Sequence, residues 1–193
     1  RLEFADEAGR VLPFDYIAND GNLLPAPLRG MTSVYLGVGE RADIVVDFRN
    51  APSRTMYLVN RLEQRDTRGP ERDPLTPGMR VLRFDVGNKA VTDRSQVPDV
   101  LRPLPPLPDL SNAVRRYWEF NRNNGSWAVN GKLFDMNFIA AQPIAGKPEI
   151  WTFKNGGTGW HHPIHFHLEE GRLLTRNGSP PPPHEQGRKD VFT

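Results

Sequence analysis

The sequence predicts an all-β protein, and three observations carry that prediction. Nineteen prolines and seventeen glycines in 193 residues mean many turns and short elements. The apolar residues recur in short β-branched runs bounded by Gly, Asn, Asp and Pro. No stretch sustains the 3.6-residue period of an amphipathic helix. At this length the chain can form one large β domain or parts of two.

The strands are expected in two sets. In residues 1–90, the first run spans Phe14 to Leu24 and is broken by an Asp20-Gly21 turn signal. Met31 to Leu36 is expected to be the next strand. Gly39 to Phe48 follows, with the β-branched core Ile44-Val45-Val46. Thr55 to Asn60 and Val81 to Val86 complete the set. Between them, Arg61 to Gly78 is polar and rich in charge and proline, which predicts an exposed loop. Residues 91–112 lose periodicity and gain Pro103, Pro105, Pro106 and Pro108, the composition of a semi-extended linker. The second set, in 113–193, comprises Arg115 to Asn121, Trp127 to Asn130 and Glu149 to Asn155. Asn123-Asn124-Gly125 is a hairpin signal between the first two.

Composition excludes several functions. Twenty-five basic residues face 23 acidic ones, for a formal charge of +2, and no basic stripe with interleaved aromatics supports nucleic-acid binding. The longest apolar runs fall well short of a membrane span. The start, Arg1-Leu2-Glu3-Phe4, carries no initiator Met and no signal peptide, so the chain reads as an interior piece of something longer. With no cysteine, disulfides and thiolate metal sites within these residues are ruled out.

The chemistry concentrates in Trp160-His161-His162-Pro163-Ile164-His165-Phe166-His167, which holds four of the five histidines. Neutral imidazole is the commonest metal ligand among side chains. In an extended segment His165 and His167 project to one face and His162 to the other, so one strand can serve two metal centres. Pro163 cannot donate to a ladder and favours a strand start or a bulge. His161 is expected at the surface or behind a ligand, and His184, after the prolines 180–183, in an exposed loop as a non-ligand. Glu169 and Glu170 are either a metal-ion or proton-transfer site, suited to a hard cation such as Mn²⁺, or solvated strand-end charges. Asp190 either orients a ligating imidazole or pairs with Lys189 or Arg188.

The run from His162 to His167 resembles the third copper-binding motif of the multicopper oxidases, the laccase and bilirubin oxidase family, H-P-x-H-x-H. Further similarity lies in Gly39-Glu40-Arg41-Ala42-Asp43, in Val129-Asn130-Gly131, in Arg172-Leu173-Leu174 with Asn177-Gly178, and in Gly187-Arg188-Lys189-Asp190. Gly171 stands where an aromatic residue is usual, and Arg188 where Trp is usual. The resemblance implies Greek-key cupredoxin-like sandwiches. Part of a middle domain would occupy 1–90, and the first part of a C-terminal domain would occupy 113–193. It also implies copper as cofactor, with His162 on type 1, His165 on type 2 and His167 on type 3 copper. The missing thiolate and remaining histidines would come from segments or chains outside these residues. The implied reaction couples one-electron oxidation of a phenolic, pigment or metal-ion substrate to reduction of O₂ to water. The implied location is periplasmic, secreted or at the cell surface. Two rival readings are a cupin-type mononuclear metalloenzyme, which also uses an H-x-H pair, and a copper-binding subunit without turnover.

Overall fold

The computed structural model describes residues 1–63, 74–157 and 159–193. Most of the loop expected from Arg61 to Gly78 lies outside them. In chain order the strands are β1 (Leu2–Ala5), β2 (Phe14–Asn19), β3 (Asn22–Met31), β4 (Ala42–Val46), β5 (Thr55–Asn60) and β6 (Met79–Asp85). They continue as β7 (Val114–Asn123), β8 (Ser126–Val129), β9 (Glu149–Asn155) and β10 (Ile164–His165). The last are β11 (Gly171–Arg172), β12 (Arg188–Lys189) and β13 (Val191–Phe192). Two short 3₁₀ turns, Phe48–Asn50 and Pro183–Glu185, are the helical elements among the described residues. The protein is all-β, as its composition predicts. Two compact units divide it, one made of residues 1–66, 70–104 and 163–193, the other built on 105–162.

In the first unit, two three-stranded sheets, β1-β5-β6 and β3-β2-β4, share one core. Alternation along β2 sends Phe14, Tyr16 and Ala18 inward. There Phe14 and Tyr16 meet Phe4 of β1, Leu24 of β3 and Met56 of β5. Phe4 lies at the centre, with its ring centroid 6.0 Å from Phe14, 5.5 Å from Phe84 and 6.4 Å from Phe48. Each such side chain contributes about 1.5–3 kcal/mol by leaving water.

The β2–β3 hairpin turns at Asp20 (φ 47°) and Gly21 (φ 84°). Two consecutive positive φ angles match the right-handed strand twist, which explains an Asp-Gly pair at this point. The strand expected at Met31 to Leu36 is displaced. β3 runs from Asn22 to Met31, and 32–36 keep only an isolated bridge between Val34 and Leu2. Pro25 and Pro27 hid this strand in the sequence. They are tolerated because β3 is an edge strand with shifted register against β2. The Pro-rich stretch lies along that edge: Leu101 N–H donates to the Pro25 carbonyl (2.9 Å) and Arg102 N–H to that of Leu24 (3.1 Å). Such cover protects an open edge from pairing with other chains.

In the second unit, β7 is central, antiparallel to β8 and parallel to β9. The β7–β8 turn again uses two positive φ angles, at Asn124 and Gly125. The parallel pair requires a crossover, provided by residues 130–148. One face is aromatic, with Trp118 and Trp151 rings 5.2 Å apart and Phe120 and Phe153 rings 6.3 Å apart. Arg116 grips Glu149 through two hydrogen bonds of 2.7 and 2.9 Å, and Trp151 Nε1–H donates to the same carboxylate at 2.7 Å.

Two predictions follow from this packing. Phe4→Ala should destabilise the protein by about 3–5 kcal/mol in chemical denaturation; a loss below about 1 kcal/mol would mean Phe4 does not organise the core. The Arg116 and Trp151 hydrogen bonds hold the Glu149 carboxyl below its ordinary range. Their stabilisation is therefore present above the unfolded carboxylate range, near 4.3, and is lost as pH falls through the lower folded value. The melting-temperature gap between wild type and Glu149→Gln should accordingly be constant near neutrality and close in acid. A gap independent of pH would contradict the assignment.

Candidate metal centre

His165 and His167 belong to the first unit. Strand β10 begins directly after Pro163, pairs antiparallel with β13, and contains only Ile164 and His165. The extended run expected across 162–167 is thus shorter in the structure. His165 and His167 nevertheless share a side: their ring centroids are 4.8 Å apart and both side chains are exposed. The chain then turns at Leu168, a non-glycine residue with φ 69°.

The backbone carbonyl of Asp190 accepts from His165 Nδ1 at 3.0 Å and from Phe166 N–H at 2.8 Å. A carbonyl can only accept, so Nδ1 carries a proton, and whenever the ring is neutral the bare nitrogen is Nε2. The Asp190 carboxylate does not contact the ring closely, at 3.9 Å from Nδ1. Arg41 takes it instead, with two hydrogen bonds of 2.7 and 2.8 Å. This fork holds the Asp190 carboxyl below the usual range. Asp190 therefore meets the imidazole through its main chain, and its side chain pairs with neither Lys189 nor Arg188.

Lys189 is buried and lies 3.5 Å from Asp20 Oδ2 and 3.1 Å from Glu40 Oε1. Arg188 instead pairs with Glu170 at 3.0 Å, and Asn22 donates to the other Glu170 oxygen at 2.7 Å. Glu170 is thus committed to structural partners, whereas Glu169 stays exposed beside His165 and His167 in the same shallow cleft. Asp20, Glu40 and Arg41 were not singled out as site residues by the sequence. The Asp-Gly pair and the Gly39-Glu40-Arg41 run mark them locally, but no spacing signals their union with residues 189–191.

His162 belongs to the second unit. Its ring stacks on Phe120 (5.5 Å, 26°) and meets Trp127 edge-on at 5.2 Å, while Trp127 and Trp160 lie 5.1 Å apart. Nε2 is buried and has no hydrogen-bond partner. Burial, then the neighbouring charge of His161, lowers the His162 pKa, so the ring is neutral near pH 7. His161 is exposed. His184 departs from expectation: it is half-buried, its ring edge-on to Tyr16 at 6.4 Å, with its carbonyl accepting from Asn19. Among the described residues, no three His, Cys, Asp or Glu side chains converge to hold a metal ion.

A family model described as multicopper oxidase matches residues 102–193. A bilirubin oxidase from Albifimbria verrucaria is 33% identical over 187 residues, covering 93% of this chain and 32% of that protein. A laccase from Haloferax volcanii is 31% identical over 207 residues, covering 98% of this chain and 34% of that one. The crystal structure of a laccase from Pediococcus acidilactici superposes with a TM-score of 0.78 at 28% identity, across 100% of this chain and 38% of that one. The chain belongs to the multicopper oxidase family. It spans about a third of the length of the curated relatives it matches.

Membership makes the sandwiches cupredoxin-like and copper the metal, and it sets the cupin reading aside. The two departures from the family pattern meet in one place, since Gly171 and Arg172 of β11 pair with Lys189 and Arg188 of β12. A Cβ at Gly171 would lie 3.1 Å from Phe192 Cζ, so the Phe192 ring occupies the space an aromatic residue at 171 would use. Gly171→Phe should therefore destabilise the protein by about 1–3 kcal/mol through overcrowding. The double variant Gly171→Phe/Phe192→Ala should recover part of that loss in a double-mutant cycle. Strict additivity of the two changes would disprove the exchange.

Proposed function

We propose that this chain is the copper-binding portion of an oxidase that couples one-electron oxidation of a reducing substrate to four-electron reduction of O₂ to water. The observation that carries the reading is the preparation of the motif histidines. His165 is held with Nδ1 donating, so that its neutral ring offers Nε2, and His162 is neutral with a buried, partnerless Nε2. Copper is favoured by imidazole nitrogen donors, so the residues fit the group.

In this reading His162 holds type 1 copper, His165 type 2 copper and His167 one type 3 copper. Bound copper supplies reversible one-electron chemistry that carries electrons from substrate to O₂. His162 stands on the electron-accepting side, where Phe120 and Trp127 pack on its half-buried ring and Nε2 is shielded from water. The Asp190 carbonyl orients His165, and His167 lies alongside it. A type 1 site needs a thiolate, and these 193 residues contain no cysteine, so the sulfur comes from polypeptide outside them. The domain reading places 1–90 in a middle cupredoxin-like domain, 91–112 in a linker and 113–193 in a C-terminal one. The strand-free stretch between Asp85 and Val114 favours a boundary there, while 163–193 pack with the first compact unit and not with 105–162.

The reducing substrate is a phenol, a pigment or a metal ion; the exposed Glu169 beside the histidine pair suits a cation. Location in the periplasm, outside the cell or on its surface agrees with the family. No helix among the described residues is long and apolar enough to cross a membrane.

Single alanine variants test the assignment in the full-length protein. His162→Ala should abolish substrate oxidation and the type 1 visible band while most of the remaining copper stays bound. His165→Ala and His167→Ala should lower copper content and O₂ reduction, with His165→Ala erasing the type 2 paramagnetic signal. Copper counting with optical and paramagnetic spectra reads these outcomes. Identical spectra for all three would reject the assignment and favour a subunit that binds copper without turnover.

A further inference from the structure

We propose that Asp20, in the β2–β3 turn, is a positioning residue for the His165 imidazole, acting through the peptide unit that joins Asp190 to Val191. The Asp20 side chain is fully buried. Its Oδ2 accepts from the N–H groups of Asp190 and Val191, both at 3.2 Å, and its Oδ1 accepts from Arg41 N–H at 2.8 Å. The Val191 N–H and the Asp190 C=O belong to one planar trans peptide, in which the two groups point in opposite directions. Asp20 therefore holds one end of a rigid plate. The other end is the carbonyl that accepts from His165 Nδ1 and Phe166 N–H.

The same hub grips the plate a second time. Arg41, whose main chain donates to Asp20, also forks onto the Asp190 carboxylate and donates from Nη2 to the Asp20 carbonyl at 3.2 Å. Lys189 supplies the countercharge inside the protein, between Asp20 and Glu40, whose own Oε2 accepts from Gly37 N–H at 2.6 Å. A buried carboxylate is stable only when paired and hydrogen-bonded, and this one has three main-chain donors and a buried ammonium. Hydrogen bonds at both ends of an amide polarise it cooperatively, which strengthens its carbonyl as an acceptor. Asp20 thus selects the His165 tautomer that leaves Nε2 free, from the far side of a strand and without touching the ring. Its role toward copper rests on the ligand reading given above; its role toward the ring does not.

The test uses the full-length protein in both copper-free and copper-loaded forms. Nitrogen-15 NMR of the copper-free protein, at a pH where the ring is neutral, should show His165 as the Nδ1–H tautomer, with slowly exchanging amides at Phe166 and Val191. In Asp20→Asn the tautomers should mix, and exchange at both amides should rise about tenfold, equivalent to about 1.4 kcal/mol of opening free energy. Cu²⁺ affinity should fall about 10–100-fold, the usual effect of losing a group that orients a ligand. Met56→Ala serves as the control: it should lower the melting temperature through the core and leave the tautomer unchanged.

Arg41→Gln is half-exposed in the parent and should fold, so it decides the matter if Asp20→Asn does not; it should shift the tautomer in the same direction. A wild-type tautomer and wild-type amide protection in the folded variant would overturn the proposal, even with a lowered melting temperature. A shifted tautomer with unchanged copper affinity would uphold the positioning role and instead refute His165 as a ligand.

Discussion

The Asp20 carboxylate links the sheet framework of the first unit to the histidine segment. From the β2–β3 turn it meets the main chain of Arg41 ahead of β4 and takes the N–H groups of Asp190 and Val191 at the start of β13. Strands β10 and β13 are two residues each, far too short to persist as an isolated ladder. Their geometry is inherited from the sandwich through this one side chain and its partners. Desolvating a carboxylate is expensive, and removing one partner of such a group typically costs about 3–5 kcal/mol. The arrangement survives because Lys189, Glu40 and Arg41 are placed by the same fold that buries Asp20.

Specificity is a further consequence. An apolar contact at the same place would hold β13 against the sandwich with similar strength but would tolerate sliding. Two N–H donors on one oxygen fix both the register and the rotation of the strand, so every residue after Lys189 has a defined face. Val191 and Phe192 are then buried, and the Asp190 carbonyl faces β10. The second unit reaches precision differently, through stacked aromatic rings and the Arg116–Glu149 fork. With Ala128 the one buried apolar residue among its described residues, it depends on directional contacts more than on burial.

Local chemistry was readable in the sequence. Asp20-Gly21 and Asn124-Gly125 specify turns because few residues accept consecutive positive φ angles, and β5 and β9 follow from β-branched and aromatic runs. The histidine pair was readable because period-two alternation is a property of any extended chain. What could not be read depends on distant residues. Two prolines concealed β3, since edge placement is decided by topology. His184 packs on Tyr16, 168 positions away, although its neighbours look like surface loop. Asp190 acts through a carbonyl, which no side-chain pattern encodes. Asp20 lies 170 and 171 residues from Asp190 and Val191, a separation at which pairing leaves no trace in one sequence.

The two histidine environments reach the same chemical state by opposite means. A metal ligand must be a neutral imidazole with an available lone pair. At His165 a hydrogen bond on Nδ1 settles the tautomer while the ring stays exposed, so solvation is retained and orientation is supplied. At His162 aromatic rings remove water, disfavour the charged form and leave Nε2 without a partner. An unsatisfied buried nitrogen costs about 1–3 kcal/mol, which a ligand bond at Nε2 would offset. In the proposed assignment, partial burial suits the electron-accepting site and exposure suits the one that O₂ must reach. Pro163 stands between the half-buried His162 ring and strand β10, which carries His165 and leads to the exposed His167.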